Sequence, residues 1–158
     1  MTTGGNRAGA AAQAALGGNG GPGRLDKEWV AVLAEVPLFS GLSRRHLRRI
    51  AGLAKARRFE AGSTVIHAGR PGSTFYVILD GQARVELPKG KGVKLHVGDA
   101  FGEMSLLDDA PRSADVVAAS ELLVMEIGRA AFTKLLRREP QISLALLRVL
   151  AARLRLEG

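Results

Sequence analysis

Thr74-Phe75-Tyr76-Val77-Ile78-Leu79-Asp80-Gly81-Gln82-Ala83-Arg84-Val85-Glu86-Leu87 is the stretch that sets the fold class. Two runs rich in β-branched and aromatic residues, 74–80 and 82–87, flank Asp80-Gly81. Asp-Gly readily adopts the positive φ angles of a tight turn, so the pattern predicts a β-hairpin. The same texture extends from Lys55 to Ile127, with Gly-containing turns every eight to twelve residues. It predicts further strands near 56–60, 64–67, 92–96, 114–119 and 122–127. Short strands at this spacing argue for an antiparallel sandwich, barrel or roll.

Helical periodicity flanks this core on both sides. Trp29, Val32, Leu33 and Val36 fall at i, i+3, i+4 and i+7 and predict a helix around Asp26–Val36, ended by Pro37. Ser43 is a plausible N-cap for a second helix. That helix turns Leu47, Ile50, Ala51, Leu53 and Ala54 inward and Arg44, Arg45, Arg48 and Arg49 outward. Two more helices are predicted at 130–138 and 140–156, with Pro140 suited to a first turn. The expected fold class is α+β: an antiparallel β-roll, jelly-roll-like, flanked by N-terminal helices and two C-terminal helices.

The first 24 residues carry eight Gly, six Ala and no acidic residue. They cannot bury enough apolar surface to offset the entropy of ordering them. The expected organisation is a disordered tail over 1–24 and one domain over 25–158. At 158 residues, with 46% apolar and 24% charged, the chain is long enough for a real core. No Cys is present, so disulfides, thiolate metal sites and thiol catalysis are excluded. The net charge is +8. Setting aside Arg7 and Arg24 of the tail leaves 21 basic against 15 acidic residues, or +6. A basic balance suits nucleic acid, anionic lipid or a phosphorylated small molecule. No stretch approaches 18 uninterrupted apolar residues, so a cytoplasmic protein without a membrane span is expected.

His46, His67 and His96 lack the spacing of a metal site, and no G-x-S-x-G, Walker A or dinucleotide fingerprint occurs. No catalytic residues, metal or cofactor are therefore assigned, and an enzyme is the least expected class.

One segment stands out: Phe101-Gly102-Glu103-Met104-Ser105-Leu106-Leu107-Asp108-Asp109-Ala110-Pro111-Arg112-Ser113-Ala114. A short helix opening at Gly102–Glu103 would offer unpaired N–H groups, and its dipole would favour an anion. Arg112, nine residues after Glu103, can fold back over the same point, giving a compact site for one phosphate. A carboxylate beside a phosphate needs a partner, and a ribose hydroxyl of the same ligand supplies one. The pattern suggests a cyclic nucleotide; an ordinary Glu103–Arg112 surface ion pair is the competing explanation.

This run closely resembles the phosphate-binding cassette of the cyclic nucleotide-binding domain family. The likeness extends through Pro37-Leu38-Phe39-Ser40-Gly41-Leu42, Phe59-Glu60-Ala61-Gly62, Gly69, Gly72, Phe75–Gly81 and Gly98-Asp99, and covers residues 36–156. It implies that Arg112 pairs with the cyclic phosphate, and that the Ser105 and Ser113 backbone N–H groups donate to it. It implies too that Glu103 and the Gly102 backbone hold the ribose 2′-hydroxyl. Met104 lies in the same cassette. In this family Thr after the arginine is associated with cGMP, whereas Ser or Ala is more usual with cAMP, so Ser113 leans toward cAMP. Val93 and Leu95 are candidates to support the base. Arg153 of the last helix is a candidate lid over the purine, with Arg148 and Leu150 as alternatives. Arg137-Arg138-Glu139-Pro140 is the expected hinge.

The resemblance implies a non-enzymatic sensor that signals through a protein effector. No helix-turn-helix follows within the sequence, which reads as a stand-alone sensing module. The Arg-rich, Lys-poor composition fits a bacterial origin. Alternatives are a scaffold of the same fold without a ligand, or a nucleic-acid-associated regulator using the arginines near 44–49 and Arg57 and Arg58. A homodimer seam through Ile142, Leu146, Val149 and Leu150 is a further possibility.

Overall fold

The computed structural model describes residues 22–87, 89–90, 92–108 and 110–157. The predicted tail lies, up to residue 21, outside the described residues. Helix α1 spans Pro22–Ala34, four residues earlier than the apolar periodicity suggested, and so takes in Pro22, Gly23 and Arg24. A proline suits a first helical turn because the N–H it lacks has no intrahelical acceptor there. A 3₁₀ turn at Pro37–Phe39 and helix α2 (Arg44–Ala51) follow. Ser43 caps α2 as expected, its hydroxyl accepting from the His46 N–H at 3.2 Å.

Eight strands come next: β1 (Lys55–Phe59), β2 (Thr64–Ile66), β3 (Thr74–Asp80), β4 (Ala83–Glu86), β5 (Val93–Leu95), β6 (Ala100–Phe101), β7 (Asp115–Ala118) and β8 (Leu122–Gly128). The two-residue strand β6 escaped the sequence reading, because two residues carry no periodicity. Helices α3 (Arg129–Arg138) and α4 (Pro140–Glu157) close the chain. The strands form two four-stranded antiparallel sheets, ordered β1-β8-β3-β6 and β2-β7-β4-β5.

The Asp80-Gly81 hairpin is corrected. β3 pairs with β6 and β8, and β4 pairs with β5 and β7; they lie in different sheets and do not pair with each other. The turn is a corner through which the chain passes from one sheet to the other. A second corner at Ala119–Glu121 follows it: the Gln82 carbonyl accepts from the Ala119 N–H at 2.9 Å, and the Gln82 N–H donates to Ser120 Oγ at 3.0 Å. Gly81 is needed twice over. Its φ is +88°, and a Cβ there would lie 2.2 Å from the Glu121 carbonyl oxygen. The register of β3 on β8 shifts between Ile78 and Asp80, so a bulge bends the strand just before the corner. Asp-Gly encodes the turn, but long-range pairing decides what it joins.

β3 is buried on both faces. Phe75, Val77 and Leu79 face the helices, where they join Leu33, Phe39, Met125, Phe132 and Ile142. Tyr76 and Ile78 face the interior of the roll, with Phe101, Val116, Leu122 and Val124. Each fully buried apolar side chain contributes roughly 1.5–3 kcal/mol. Phe39 stands edge-on to Phe75 (centroids 5.7 Å apart) and 6.1 Å from Phe132, joining the 3₁₀ turn, β3 and α3.

The proposed dimer seam is also corrected. Ile142 (0% exposed) and Leu146 (2%) are consumed by the chain's own core. The exposed apolar side chains of α4 are Leu144, Leu147, Leu154 and Leu156. No helix among the described residues is long and apolar enough to cross a membrane.

Candidate functional site

Between β6 and β7 the chain makes a 3₁₀ turn, Glu103–Leu106, rather than an α-helical one. Gly102 precedes it at φ +77°, a left-handed conformation that reverses the chain out of β6. Leu106, 1% exposed, plugs the turn into the helix-side core. The Gly98-Asp99 turn before β6 forms as expected: Gly98 sits at φ +89°, and Asp99 Oδ2 accepts from the His96 N–H at 2.7 Å.

Arg112 is fixed at both backbone and side chain. Its N–H donates to the Arg70 carbonyl (2.9 Å), and its own carbonyl accepts from the Gly69 N–H (2.8 Å). Pro71 and Pro111 form an antiparallel bridge between these bonds, so the segment rides on the loop before β3. The side chain donates from Nη1 to Ser105 Oγ and from Nη2 to the Thr74 carbonyl, both at 2.5 Å. Ser105 is itself buried, 7% exposed. Burial lowers the Arg112 pKa from its usual value, and the neighbouring Tyr76 opposes that shift. Both acceptors of the guanidinium are neutral. Among the described residues no carboxylate pairs with it, and Glu103 makes no ion pair with it, which removes the surface-ion-pair explanation.

A cleft of 410 Å³ opens here, lined by Gly102, Glu103, Met104, Ser105, Arg112 and Ser113 with Asp108, Ala110 and Pro111. Six of the nine residues singled out from the sequence thus share one cavity. A half-buried cation held on neutral acceptors beside a polar cleft is chemically an anion receptor. The Ser105 N–H, expected to donate to a phosphate, closes the 3₁₀ turn on the Gly102 carbonyl at 3.0 Å in this structure. In a turn of this type the i→i+3 bond uses that donor. The sequence reading placed the Ser105 hydroxyl in no role, although it holds the arginine.

The other three residues lie elsewhere. Val93 and Leu95 sit on β5; Val93 is 51% exposed, and Leu95 packs on the roll interior. Arg153 lines a separate 530 Å³ groove with Pro37, Ser40, Gly41 and Arg148, away from the cassette. Leu150 packs against the helix-side core. α4 lies along the 3₁₀ turn Pro37–Phe39 here, so neither arginine covers the cleft. The expected hinge is a real break: α3 ends at Arg138, Glu139 leaves helical geometry (φ −129°, ψ 79°), and Pro140 opens α4. Glu139 also forms an ion pair with Arg49, Oε1 lying 3.3 Å from Nε, and lies 3.8 Å from His46 Nε2, which ties the break to α2.

The fold is thus a roll of two antiparallel sheets with helices on one side and a cleft beside the Arg112 guanidinium between β6 and β7. The profile of the family described as Cyclic nucleotide-binding domain matches residues 56–139, more than half of the chain, and the chain belongs to that family. It is 44% identical over 108 residues to a cAMP-dependent protein kinase regulatory subunit of Aspergillus fumigatus, covering 67% of this chain and 26% of that protein. A regulatory subunit of Colletotrichum orbiculare is 40% identical over 106 residues, covering 66% of this chain and 27% of its own length. The chain spans about a quarter of the length of these relatives. In structure it is similar to the N-terminal domain of a transcriptional regulator from Streptomyces coelicolor (TM-score 0.70, 30% identity, 78% of this chain and 90% of that one). It also shares its fold with the regulatory domain of Toxoplasma gondii PKA solved with cAMP (TM-score 0.64, 22% identity, 82% of this chain and 49% of that one). These relatives are regulatory proteins, fungal ones among them.

Proposed function

We propose that the chain is a non-enzymatic cyclic nucleotide sensor whose ligand is cAMP, and that it signals through a protein effector. The observation that carries the reading is the Arg112 guanidinium: partly buried, held by the Ser105 hydroxyl and the Thr74 carbonyl, without a carboxylate partner among the described residues. A cyclic phosphate supplies the missing charge. Glu103, in the same cleft and unpaired among the described residues, suits a ribose 2′-hydroxyl. Ser113 after the arginine favours cAMP over cGMP. Charge-assisted contacts are worth about 1.5–3 kcal/mol each.

Binding acts by population shift: a ligand with higher affinity for one arrangement of the break at Glu139 moves α4 toward it. In the favoured state α4 closes over the base on β5, with Arg153 stacking on the purine. The test is calorimetric titration with cAMP and cGMP of protein unfolded and refolded to strip carried ligand, with Arg112→Ala beside it. One-site cAMP binding weakened ten- to a hundredfold or more by Arg112→Ala is the expected result. No heat with either nucleotide overturns the reading and leaves a scaffold of the same fold.

A further inference from the structure

Gly72 is buried, just before β3, and its φ is not among the positive ones, so its φ does not call for glycine. Yet a Cβ built on it would lie 1.8 Å from Arg112 Nε and 2.3 Å from Arg112 Cζ. The three atoms nearest that Cβ all belong to the Arg112 side chain. Gly102 meets the guanidinium with less room for interpretation: a Cβ there would lie 2.6 Å from Nη1, but its φ of +77° calls for glycine in any case. Torsion accounts for Gly102. At Gly72 it is the arginine that a side chain would meet first.

We infer that Gly72 is a positioning residue for the ligand: its missing side chain forms the slot in which the Arg112 guanidinium lies. Gly102 lies against the same guanidinium, and Ser105 Oγ and the Thr74 carbonyl hold it by hydrogen bonds. The slot fixes a long side chain before the ligand arrives, so less freedom is lost on binding. It also sets where the remaining N–H donors aim, which a Cβ at position 72 would change. The inference rests on the cyclic nucleotide reading above.

The test separates pose from affinity. In ¹⁵N-arginine-labelled, ligand-free protein the Arg112 Nε–H resonance is assigned by its disappearance in Arg112→Lys. In the wild type it is resolved and slow to exchange with solvent. In Gly72→Ala it moves into the envelope of exposed arginines, cAMP affinity falls about tenfold, and the melting temperature holds, because the arginine yields rather than the backbone. If Gly72→Ala does not fold, Ser105→Ala replaces it and gives the same two changes in smaller measure. An unmoved Arg112 resonance overturns the inference. So does wild-type affinity in a variant whose resonance has moved. If the wild type itself binds neither cAMP nor cGMP, the functional reading falls and the inference with it; binding by the wild type unchanged in the variant removes the inference alone.

Discussion

The cassette around Arg112 and the last helix, α4, are held in opposite ways. Past Phe101 the cassette has little apolar anchorage beyond Leu106, but it is tied by hydrogen bonds: Arg112 to Arg70, Gly69, Thr74 and Ser105, and Asp108 through its carbonyl to Arg129 Nη1 at 2.7 Å. α4 has the reverse construction. Its first half is sealed by Ile142 and Leu146, while Leu154 (70% exposed) and Leu156 (89%) of its second half touch little. Polar bonds fix directions, which a receptor for one phosphate needs. An apolar anchor at one end fixes position but leaves the far end free to take another arrangement. The cassette is therefore fixed in direction by polar bonds, whereas α4 is anchored by apolar packing only in its first half.

The steepest way to break this comparison lies within α4. Ile142→Ala removes a fully buried side chain from the helix-side core and is expected to destabilise by about 2–5 kcal/mol. Leu154→Ala, two-thirds exposed, is expected to stay within about 0.5 kcal/mol. Urea denaturation of the two variants checks both. Similar losses at the two positions would mean that the second half of α4 is docked in solution.

At the cassette the comparison predicts sensitivity to direction rather than to charge. Arg112→Lys keeps the cation but loses the planar fork that reaches Ser105 and Thr74 together. Its cAMP affinity is expected to fall about tenfold, to a level between wild type and Arg112→Ala. Affinity equal to wild type in calorimetry would mean that a point charge suffices.

Helix α2, with its Ser43 cap, and helices α3 and α4, with Pro140 opening the last, were legible because each is written in local periodicity and end signals. The cassette was legible because Gly102, Glu103 and Arg112 stand within a longer run that resembles a known family's cassette; their spacing alone left an ordinary Glu103–Arg112 ion pair open. The connection through Asp80-Gly81 was not. A tight turn looks the same whether its strands pair or diverge, and the partner corner at Ala119–Glu121 lies nearly forty residues away. The dimer seam failed for a related reason: period alone cannot tell whether a stripe of Ile and Leu faces a neighbour or the chain's own core. The signal for the arginine slot was present as Gly72 in the sequence, but its meaning required knowing that Arg112 crosses it.

The roll interior beside the cassette offers a pH test. Tyr76 stacks on Phe101 at 5.1 Å, and burial, with Glu126 adding to it, raises its phenol above the ordinary value near 10. The folded state therefore holds this proton more tightly than the unfolded chain. Its contribution to stability is complete below the ordinary phenol pKa and is lost as pH rises through the folded one. Tyr76 is the only tyrosine of the chain, so tyrosinate absorbance reports it alone. Ionisation is expected above pH 10, together with unfolding, and Tyr76→Phe should carry the alkaline limit to higher pH. Tyrosinate formation at the ordinary value in folded protein would show that the phenol is reached by solvent.

The smallest expected effect lies at the pivot that joins the two regions. Glu139 bridges α2 to the break between α3 and α4 through Arg49 and His46. Arg49 is 57% exposed, so the pair is worth at most about 1 kcal/mol and is screened by salt. In the arrangement seen here α4 does not cover the cleft, and the pair belongs to that arrangement. If closure of α4 has to break it, Glu139→Gln lowers the cost of closing by no more than the pair was worth. Cyclic AMP affinity should then rise, by at most about fivefold, and the gain should shrink as salt is added. Calorimetry of wild type and Glu139→Gln at low and high salt measures this directly. An affinity that falls would mean that the pair supports the closed state, and equal affinities at both salt concentrations would mean that it persists through both.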